Sequence, residues 1–140
     1  MPQGRTLATY SVGVKFVADE DSTMLLAMGG TIDWTSFTDP TKFGVTGKRF
    51  IPAGTAVAIT AGKVVVTDNI KTTYLMASDV IENPLFYRGS DDTTGLYAGG
   101  IFFMDRLPDS VAGVLAPATV TALGSNFVFQ SSPGLLVVGS

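Results

Sequence analysis

The residues that decide the fold class lie at positions 50–67, which read Phe50-Ile51-Pro52-Ala53-Gly54-Thr55-Ala56-Val57-Ala58-Ile59-Thr60-Ala61-Gly62-Lys63-Val64-Val65-Val66-Thr67. In this stretch Pro52 and Gly54 are typical turn residues, and the run after them places Val57 and Ile59 on one face of an extended strand. Gly62 reverses the chain, and valines at alternate positions then return on one face. The pattern predicts a β-hairpin in which Pro52, Gly54 and Gly62 are the structural turn residues.

The rest of the chain repeats short apolar runs between turn residues. Its 140 residues include 16 Gly and 7 Pro, which separate runs rich in Val and Thr, two residues that favour strands. No long window has the 3.6-residue period of an amphipathic helix. We therefore expect a single mainly β domain over residues 13–140, preceded by an N-terminal arm over residues 1–12.

Further extended segments are expected at six places along the chain. They are residues 9–17, 23–28, 85–88, 96–104, 126–130 and 135–138. A short helix is expected over residues 117–123, because Pro117 suits its first turn and Gly124 suits its C-terminal end. Residues 74–81 fit either a strand or a short helix.

The composition excludes several kinds of chemistry. With no cysteine and no histidine, the chain has no disulfide framework, no zinc site of the usual kind, no thiol nucleophile and no Ser-His-Asp triad. Only 15% of the residues are charged, whereas soluble domains average about 25%. A surface so poor in charge suggests that part of it is covered in an assembly.

Basic residues are few and scattered. Nine Lys and Arg against twelve Asp and Glu give a net charge of -3, and direct nucleic-acid binding or attachment to a membrane surface usually needs a basic patch. Neither is therefore expected, and the first residues lack the apolar run of a secretory signal. Residues 110–140 carry no charge, but Gly and Pro interrupt them repeatedly. A buried or subunit-facing segment is favoured there over a membrane span.

Two acidic clusters are candidates for acid–base chemistry or metal binding. They occupy residues 19–21 and 91–92, and neither has the spacing of a calcium-binding loop. Adjacent acids on an extended chain point to opposite faces. We therefore expect a solvated turn at residues 19–22 and a polar loop tip at residues 89–95.

Two glycine pairs are candidates for phosphate binding. Gly29-Gly30 and Gly99-Gly100 lack the Gly-Lys-Ser/Thr ending of a phosphate-binding loop. A turn is expected at the first pair, and a bulge or a close backbone approach at the second.

The aromatic residues and one charged turn complete the set of candidates. Residues 31–47 are expected to form a long loop with aromatic anchors, and residues 105–108, Asp-Arg-Leu-Pro, to end a buried strand. The main aromatic residues could stack on a ligand, or they could fill a core or a subunit interface. A core or a subunit interface is favoured. These aromatic residues are Tyr10, Trp34, Phe37, Phe86 and Tyr87. We predict no catalytic, cofactor-binding or metal-binding residues, and thus a protein that is not an enzyme.

The stretch from Phe50 to Val64 resembles the capsid decoration proteins of tailed double-stranded DNA bacteriophages, also called head-stabilising or cement proteins. In that family an Ile-Pro-Ala-Gly-Thr turn leads into a hairpin with Gly-Lys at its tip, as at residues 51–55 and 62–63 here. Residues 99–108 are similar to a later strand that ends in an acid, a base and Leu-Pro. Residues 117–129 also have a counterpart, so the resemblance covers about residues 50–130.

The resemblance implies a small β-sandwich or β-tulip domain on the outside of a phage head, where it stabilises contacts between capsomers. Its partner is the major capsid protein, and the expected oligomer is a homotrimer. The implied location is the capsid exterior of the virion, after synthesis in the cytoplasm of the host bacterium. No cofactor, small-molecule substrate, nucleic acid or membrane is implied.

The resemblance also implies that an extended N-terminal arm becomes ordered on the major capsid protein. The contact residues expected in this arm are Thr6, Leu7, Ala8, Thr9 and Tyr10. Such a segment has too little apolar area to fold alone, but it can pair its backbone with an edge strand. Two alternatives stay open, namely another virion subunit of the head fibre or tail and, less favoured, a small β-barrel ligand-binding domain.

Overall fold

The computed structural model of the protein describes residues 15–82 and 92–131. Its strands are β1 (Val17–Leu25), β2 (Gly30–Ile32), β3 (Phe50–Ile51), β4 (Ala56–Thr60), β5 (Lys63–Val66), β6 (Tyr74–Met76), β7 (Val80–Ile81), β8 (Thr93–Thr94), β9 (Leu96–Phe103) and β10 (Phe127–Gln130). Its α-helices are α1 (Pro40–Phe43) and α2 (Pro117–Leu123), and 3-10 helices cover Trp34–Ser36 and Met104–Arg106.

The hairpin predicted from residues 50–67 is present as β4 and β5. The two strands are antiparallel, and Val57 lies opposite Val66 while Ile59 lies opposite Val64. Between the strands Ala61 and Gly62 have φ values of 52° and 80°. Two successive positive φ values are typical of the type I′ turn, whose twist matches that of the strands it joins.

The main sheet has the order β1-β9-β6-β4-β5-β2-β8, and β10 adds to β9 in parallel. Short connections link the two ends of this order, because only residues 26–29 separate β1 from β2, and Gly95 alone separates β8 from β9. The amide of Leu26 donates to the carbonyl of Leu96 at 2.9 Å, which continues the β1–β9 ladder towards β2 and β8. The sheet therefore curls into a half-barrel. Strands β3 and β7 form a separate antiparallel pair.

Both faces of the central strands are buried. Neighbouring residues of one strand point to opposite faces, and here Ala56 and Val57 of β4 enter two different clusters, as do Leu75 and Met76 of β6. The first core contains Phe16, Val17, Ala56, Leu75, Phe102, Leu107, Leu115, Leu123 and Phe127. The second core contains Ile32, Phe37, Phe43, Ile51, Val57, Val64, Met76, Val80 and Leu96.

Helix α2 covers the first core and has the bounds predicted from the sequence. It begins at Pro117 and is followed by Gly124, which has a φ of 91° and donates its amide to the carbonyl of Val120. The amide of Thr73 donates to the carbonyl of Ala122 at 3.0 Å, which ties the helix to the start of β6. The mainly β fold with a short helix near the C-terminal end is therefore confirmed.

The second core is covered by a segment for which the sequence analysis was wrong. Residues 31–47 were expected to form a long loop, but they contain part of β2, a 3-10 helix and α1. Asp33 accepts a hydrogen bond from the amide of Thr35, and Asp39 accepts one from the amide of Thr41. Each carboxylate caps a short helix, and Pro40 suits the first position of α1.

The expectation for the start of the chain also needs correction. Residues 9–17 and 23–28 were expected to form two strands around a turn, but β1 is one strand with a wide bulge at the expected turn. Asp19 lies opposite Ile101, and Met24 lies opposite Gly99. Five steps along β1 therefore match two steps along β9, so β1 contains three extra residues. In the bulge the Ser22 hydroxyl accepts from the amide of Ile101 at 3.0 Å and donates to the carbonyl of Asp19 at 2.7 Å.

The close backbone approach expected at Gly99 and Gly100 is present where β9 passes this bulge. A Cβ atom at Gly99 would lie 2.9 Å from the carbonyl oxygen of Asn126. Gly100 has a φ of 140°, and a Cβ atom there would lie 3.1 Å from the Phe102 ring and 3.2 Å from Cα of Thr23. Only glycine fits both positions without displacing backbone atoms.

The polar loop tip expected at residues 89–95 is wrong in part, because Thr93–Thr94 form β8, and residues 89–91 lie outside the described residues. Residues 74–81 form the two short strands β6 and β7, and β9 and β10 lie within the expected residues 96–104 and 126–130. Residues 105–108 were expected to end the strand, but β9 ends at Phe103, and Asp105 and Arg106 belong to the 3-10 helix Met104–Arg106. The arm (residues 1–12) and the strands expected at residues 85–88 and 135–138 lie outside the described residues.

We expect Gly100→Ala to lower the free energy of unfolding by about 1–3 kcal/mol, because alanine disfavours this φ and its methyl group meets the Phe102 ring. Gly95→Ala is the matched control, since its Cβ atom would make an ordinary 3.5 Å contact with Ala77 and should change stability by less than about 0.5 kcal/mol. Urea unfolding of both variants measures the difference. Equal stabilities would contradict the role given to Gly100.

Candidate functional site

The turn that carries the family resemblance lies inside the fold. Gly54 is buried with a φ of 89°, and a Cβ atom there would lie 3.0 Å from Cδ of Pro108 and 3.3 Å from a methyl group of Leu107. Its amide donates to the carbonyl of Met76 at 2.8 Å. The turn at Pro52 and Gly54 therefore joins the hairpin to β6 and to residues 107–108, and it is not a free contact surface.

Side chains that the sequence analysis did not single out hold this turn. The carboxylate of Asp79 accepts a hydrogen bond from the amide of Ala53 at 2.7 Å. The hydroxyl of Thr55 donates to the carbonyl of Pro52 at 2.7 Å. Asp79 lies 26 residues from Ala53 in the chain, so no local pattern identifies the pair.

Gly62 occupies the opposite kind of environment. It lies at the exposed tip of the hairpin, and a Cβ atom there would meet nothing within 4 Å. Lys63 beside it is also exposed. The structure thus places Gly62 at the surface and Gly54 in the interior.

The arm residues Thr6, Leu7, Ala8, Thr9 and Tyr10 lie outside the described residues, but the point where the arm joins the fold is defined. The carbonyl of Lys15 accepts a hydrogen bond from the guanidinium of Arg106 at 2.9 Å. The carbonyl of Phe16 accepts from the amide of Phe103 at 2.7 Å. The chain therefore enters the fold beside the C-terminal end of β9.

Among the described residues, Arg49 and Glu82 form a buried ion pair with two hydrogen bonds between their side chains. Two parallel hydrogen bonds of 2.9 Å join the guanidinium and the carboxylate, whose side chains are only 10% and 13% exposed. Arg49 also donates to the carbonyl of Trp34 at 2.6 Å. Glu82 also accepts from the amide of Gly47 at 2.9 Å. The pair ties the end of β7 to the segment that covers the second core.

These contacts shift the ionisation of both partners. The hydrogen bond from the Arg49 side chain holds the pKa of Glu82 below its ordinary value, and burial opposes the shift. The same bond raises the pKa of Arg49. Both groups are therefore charged at neutral pH, and each is the other's partner rather than a group held ready for catalysis.

Two clefts border this region. One cleft of about 230 Å³ lies between α1, the hairpin and α2, and the carboxylate that lines it belongs to Asp109. One oxygen of Asp109 accepts from the amide of Ala56 at 2.8 Å, and the other contacts Lys42. The second cleft, about 310 Å³, lies beside Phe37, Val45 and the engaged guanidinium of Arg49. In both clefts the charged groups already serve the fold.

The described aromatic candidates fill the second core. Phe37 is fully buried and packs edge-on against Phe43, with ring centroids 5.1 Å apart. Trp34 packs against the same core and donates its indole N–H to Asp92 at 2.7 Å. The other aromatic candidates, Tyr10, Phe86 and Tyr87, lie outside the described residues.

The acidic candidates do not converge on one site. In residues 15–82 and 92–131, no three acidic side chains come together in a way that could hold a metal ion. Residues 19–21 are exposed in the β1 bulge, and Asp92 is the described member of the other acidic cluster. Within the same ranges no helix has the length and apolar character needed to span a membrane.

Among the described residues, five of the exposed large apolar side chains lie in two small groups, and Val45, Ile70, Ile81 and Val128 are exposed elsewhere. The first, here called the 24–28 tip, contains Met24, Leu25 and Met28, and Met28 is 92% exposed. The second, here called the valine turn, covers residues 111–114, where Val111 and Val114 are 78% and 56% exposed. Both groups lie in stretches without charge, residues 22–32 and 110–131. Apolar groups exposed in this way mark candidate contact surfaces.

The valine turn was not predicted, although its sequence resembles that of the hairpin turn. Ala112 and Gly113 have φ values of 54° and 84°, close to those of Ala61 and Gly62 in the predicted hairpin. The same dipeptide therefore makes the same kind of turn twice. The chain matches no protein-family model, and no curated protein or solved structure is significantly similar to it. The candidate site thus rests on these surface residues.

We expect Glu82→Ala to destabilise the protein by about 3 kcal/mol or more, because it leaves the buried Arg49 guanidinium without its carboxylate. The control is Glu20→Ala, which removes an exposed ion pair with Lys15 at 3.7 Å and should cost less than about 0.5 kcal/mol. Chemical unfolding at neutral pH compares the two. A small effect at Glu82 would contradict the importance of the pair.

The same pair predicts a dependence of stability on pH. Because the folded state lowers the pKa of Glu82 from about 4.5, its stabilisation is complete above that pH and is lost as the pH falls further. The stability difference between the intact protein and Glu82→Gln should therefore shrink between about pH 5 and pH 3. Asp33 and Asp68, whose pKa values are also lowered, are present in both proteins and cancel. A difference that stays constant with pH would contradict this.

Proposed function

We propose that the chain is a structural virion protein that binds the outer surface of a phage capsid and stabilises contacts between capsomers of the major capsid protein. The proposal starts from the resemblance of residues 50–64, 99–108 and 117–129 to capsid decoration proteins. It assigns the protein no reaction and no cofactor. Its work is to form many contacts that hold neighbouring shell subunits together.

The observation that carries the proposal is that these three segments meet at one place in the fold. Gly54 packs against Leu107 and Pro108, which come from the second segment. Leu123 and Phe127, from the third segment, share the first core with Leu107. Under the proposal, these contacts belong to the framework that the chain shares with decoration proteins.

The place where the described chain begins is compatible with capsid binding by the N-terminal arm. Strand β1 is the terminal strand of the sheet order, and the chain reaches it from Lys15 at the surface. Under the proposal, the arm pairs its backbone with an edge strand of the capsid protein. Under the proposal Thr6, Leu7, Ala8, Thr9 and Tyr10 make this contact.

The low charge of the chain supports an assembly of several copies. Each copy of a homotrimer makes the same modest contacts with its neighbours and with the shell. Linked contacts of this kind bind far more tightly together than each does alone. A protein of this kind needs an apolar, weakly charged contact surface more than it needs a catalytic cleft.

The test is binding to heads of the phage that encodes the chain, prepared without it. The intact protein should co-sediment with the heads to saturation. Deleting residues 1–10 should abolish binding without changing the thermal unfolding of the domain, since the arm precedes every described element. Normal occupancy by the shortened protein would contradict the role of the arm.

A matched variant separates the sequence of the arm from its length. Replacing residues 6–10 by alternating Gly and Ser keeps the chain length and removes the apolar and aromatic side chains, so binding should again be lost. Immunogold labelling of whole virions gives an independent result. Labels on the heads support the proposal, whereas labels on the tails, or failure of the intact protein to bind heads, would contradict it.

A further inference from the structure

Strand β10 is an edge strand of the described sheet. Within residues 15–82 and 92–131, β9 is the only strand that pairs with β10. This parallel pairing runs without a break from Phe127, opposite Gly100, to Gln130, opposite Phe103. The other side of an edge strand presents a row of unpaired N–H and C=O groups, to which a further strand can add.

The β10 edge lacks the features that usually protect the edge of a sheet. Charged side chains, proline and bulges commonly block pairing with another strand. The sequence of β10, Phe-Val-Phe-Gln, contains no charge and no proline, and its register with β9 has no bulge. The β-branched side chain of Val128 is 52% exposed. The edge is therefore suited to receive an uncharged, apolar strand.

The chain itself contains a segment of matching length and character. Ser131 is the last described residue, and nine residues follow it. They include Leu135-Leu136-Val137-Val138, four consecutive apolar residues that were expected to be extended. Strand β10 also has four residues. The segment over residues 135–138 is therefore the occupant that the sequence offers for this edge.

The residues before this segment disfavour a tight return onto the same chain. Both Ala61-Gly62 and Ala112-Gly113, which make tight reversals, have positive φ values at both positions. The pair before Leu135 is Pro133-Gly134, and proline fixes its φ at about −65°. Proline also biases the residue before it, here Ser132, towards an extended conformation. The turn geometry that the chain uses elsewhere is thus excluded at Pro133, which favours a segment that continues outward.

We propose that residues 135–138 of one copy add as a strand to the β10 edge of a neighbouring copy. Each copy then donates one strand and accepts one, and a head-to-tail contact of this kind closes into a ring when the rotation between copies divides a full turn. The main-chain hydrogen bonds of strand addition supply affinity without any charged group. The inference rests on the proposed function only for the size of the ring, which is the expected homotrimer.

Introduced cysteines identify the strand that covers the edge, because the chain has no cysteine of its own. Gln130→Cys, at an exposed position of β10, is combined in turn with a substitution to cysteine at each of residues 135–138. After mild oxidation, at least one combination should give covalent dimers and trimers on a non-reducing gel. The control combines the same second cysteines with Ile70→Cys, since Ile70 is 86% exposed and lies outside the strands. It should stay monomeric on the gel.

A substitution at Pro133 tests why the strand is shared. Pro133→Asn places Asn-Gly before Leu135, a pair that strongly favours the type I′ turn. That two-residue turn puts position 137 opposite position 130 of the same chain. We therefore expect Gln130→Cys/Val137→Cys to form its disulfide within one chain in this variant, and light scattering to report a monomer. The matched control Ser132→Asn keeps the proline and should keep the oligomer, and thermal unfolding verifies that both variants are folded.

The outcomes separate this inference from the proposed function. The shared strand is supported if the intact chain is an oligomer, deletion of residues 132–140 leaves a folded monomer, and only the β10 cysteine crosslinks copies. It is overturned if the disulfide forms within one chain while Pro133 is present, if no combination crosslinks, if the control crosslinks equally, or if the intact chain is a monomer at micromolar concentration. None of these measurements uses phage heads, so failure here leaves capsid binding to its own test, and failure to bind heads leaves the shared strand standing.

Discussion

The structure depends on burial of the central strands on both faces. In β4 and β6 consecutive side chains, rather than alternate ones, enter apolar cores, so Ala56 and Val57 belong to different cores although they are neighbours. Each core then needs a cover of its own. Helix α2 and the segment around Leu107 and Leu115 cover one face, and residues 34–51 cover the other. The arrangement gives a chain of modest length two cores that share one sheet.

Polar contacts between distant parts of the chain hold the two covers against the sheet. The Arg49–Glu82 pair joins the second cover to β7, and Asp109 joins the backbone of β4 to Lys42 in α1. These carboxylates therefore spend their hydrogen-bonding capacity inside the fold. Within the described residues, no three acidic side chains come together in a way that could hold a metal ion.

Local signals were enough to predict the hairpin and helix α2. Turn residues specify the hairpin, and Pro117 and Gly124 mark the two ends of α2. They were also enough to anticipate the close approach at Gly99 and Gly100. The bulge in β1 was not predictable, since it depends on a hydroxyl of Ser22 replacing a ladder partner for Ile101, 79 residues away. The Arg49–Glu82 pair spans 33 residues. The valine turn has the same Ala-Gly pair as the hairpin, but no alternating apolar strands flank it, so the sequence pattern does not predict it.

The bulge in β1 has a consequence for how the protein behaves at high concentration. An edge strand with unpaired backbone groups is a template on which identical molecules stack into aggregates. Here the edge is interrupted by three extra residues, and the exposed side chains there include Asp19, Glu20 and Asp21. The irregular backbone breaks the register that a stacked neighbour needs, and the negative charges repel an identical edge. An irregular edge that carries three exposed acids therefore disfavours the stacking of identical molecules.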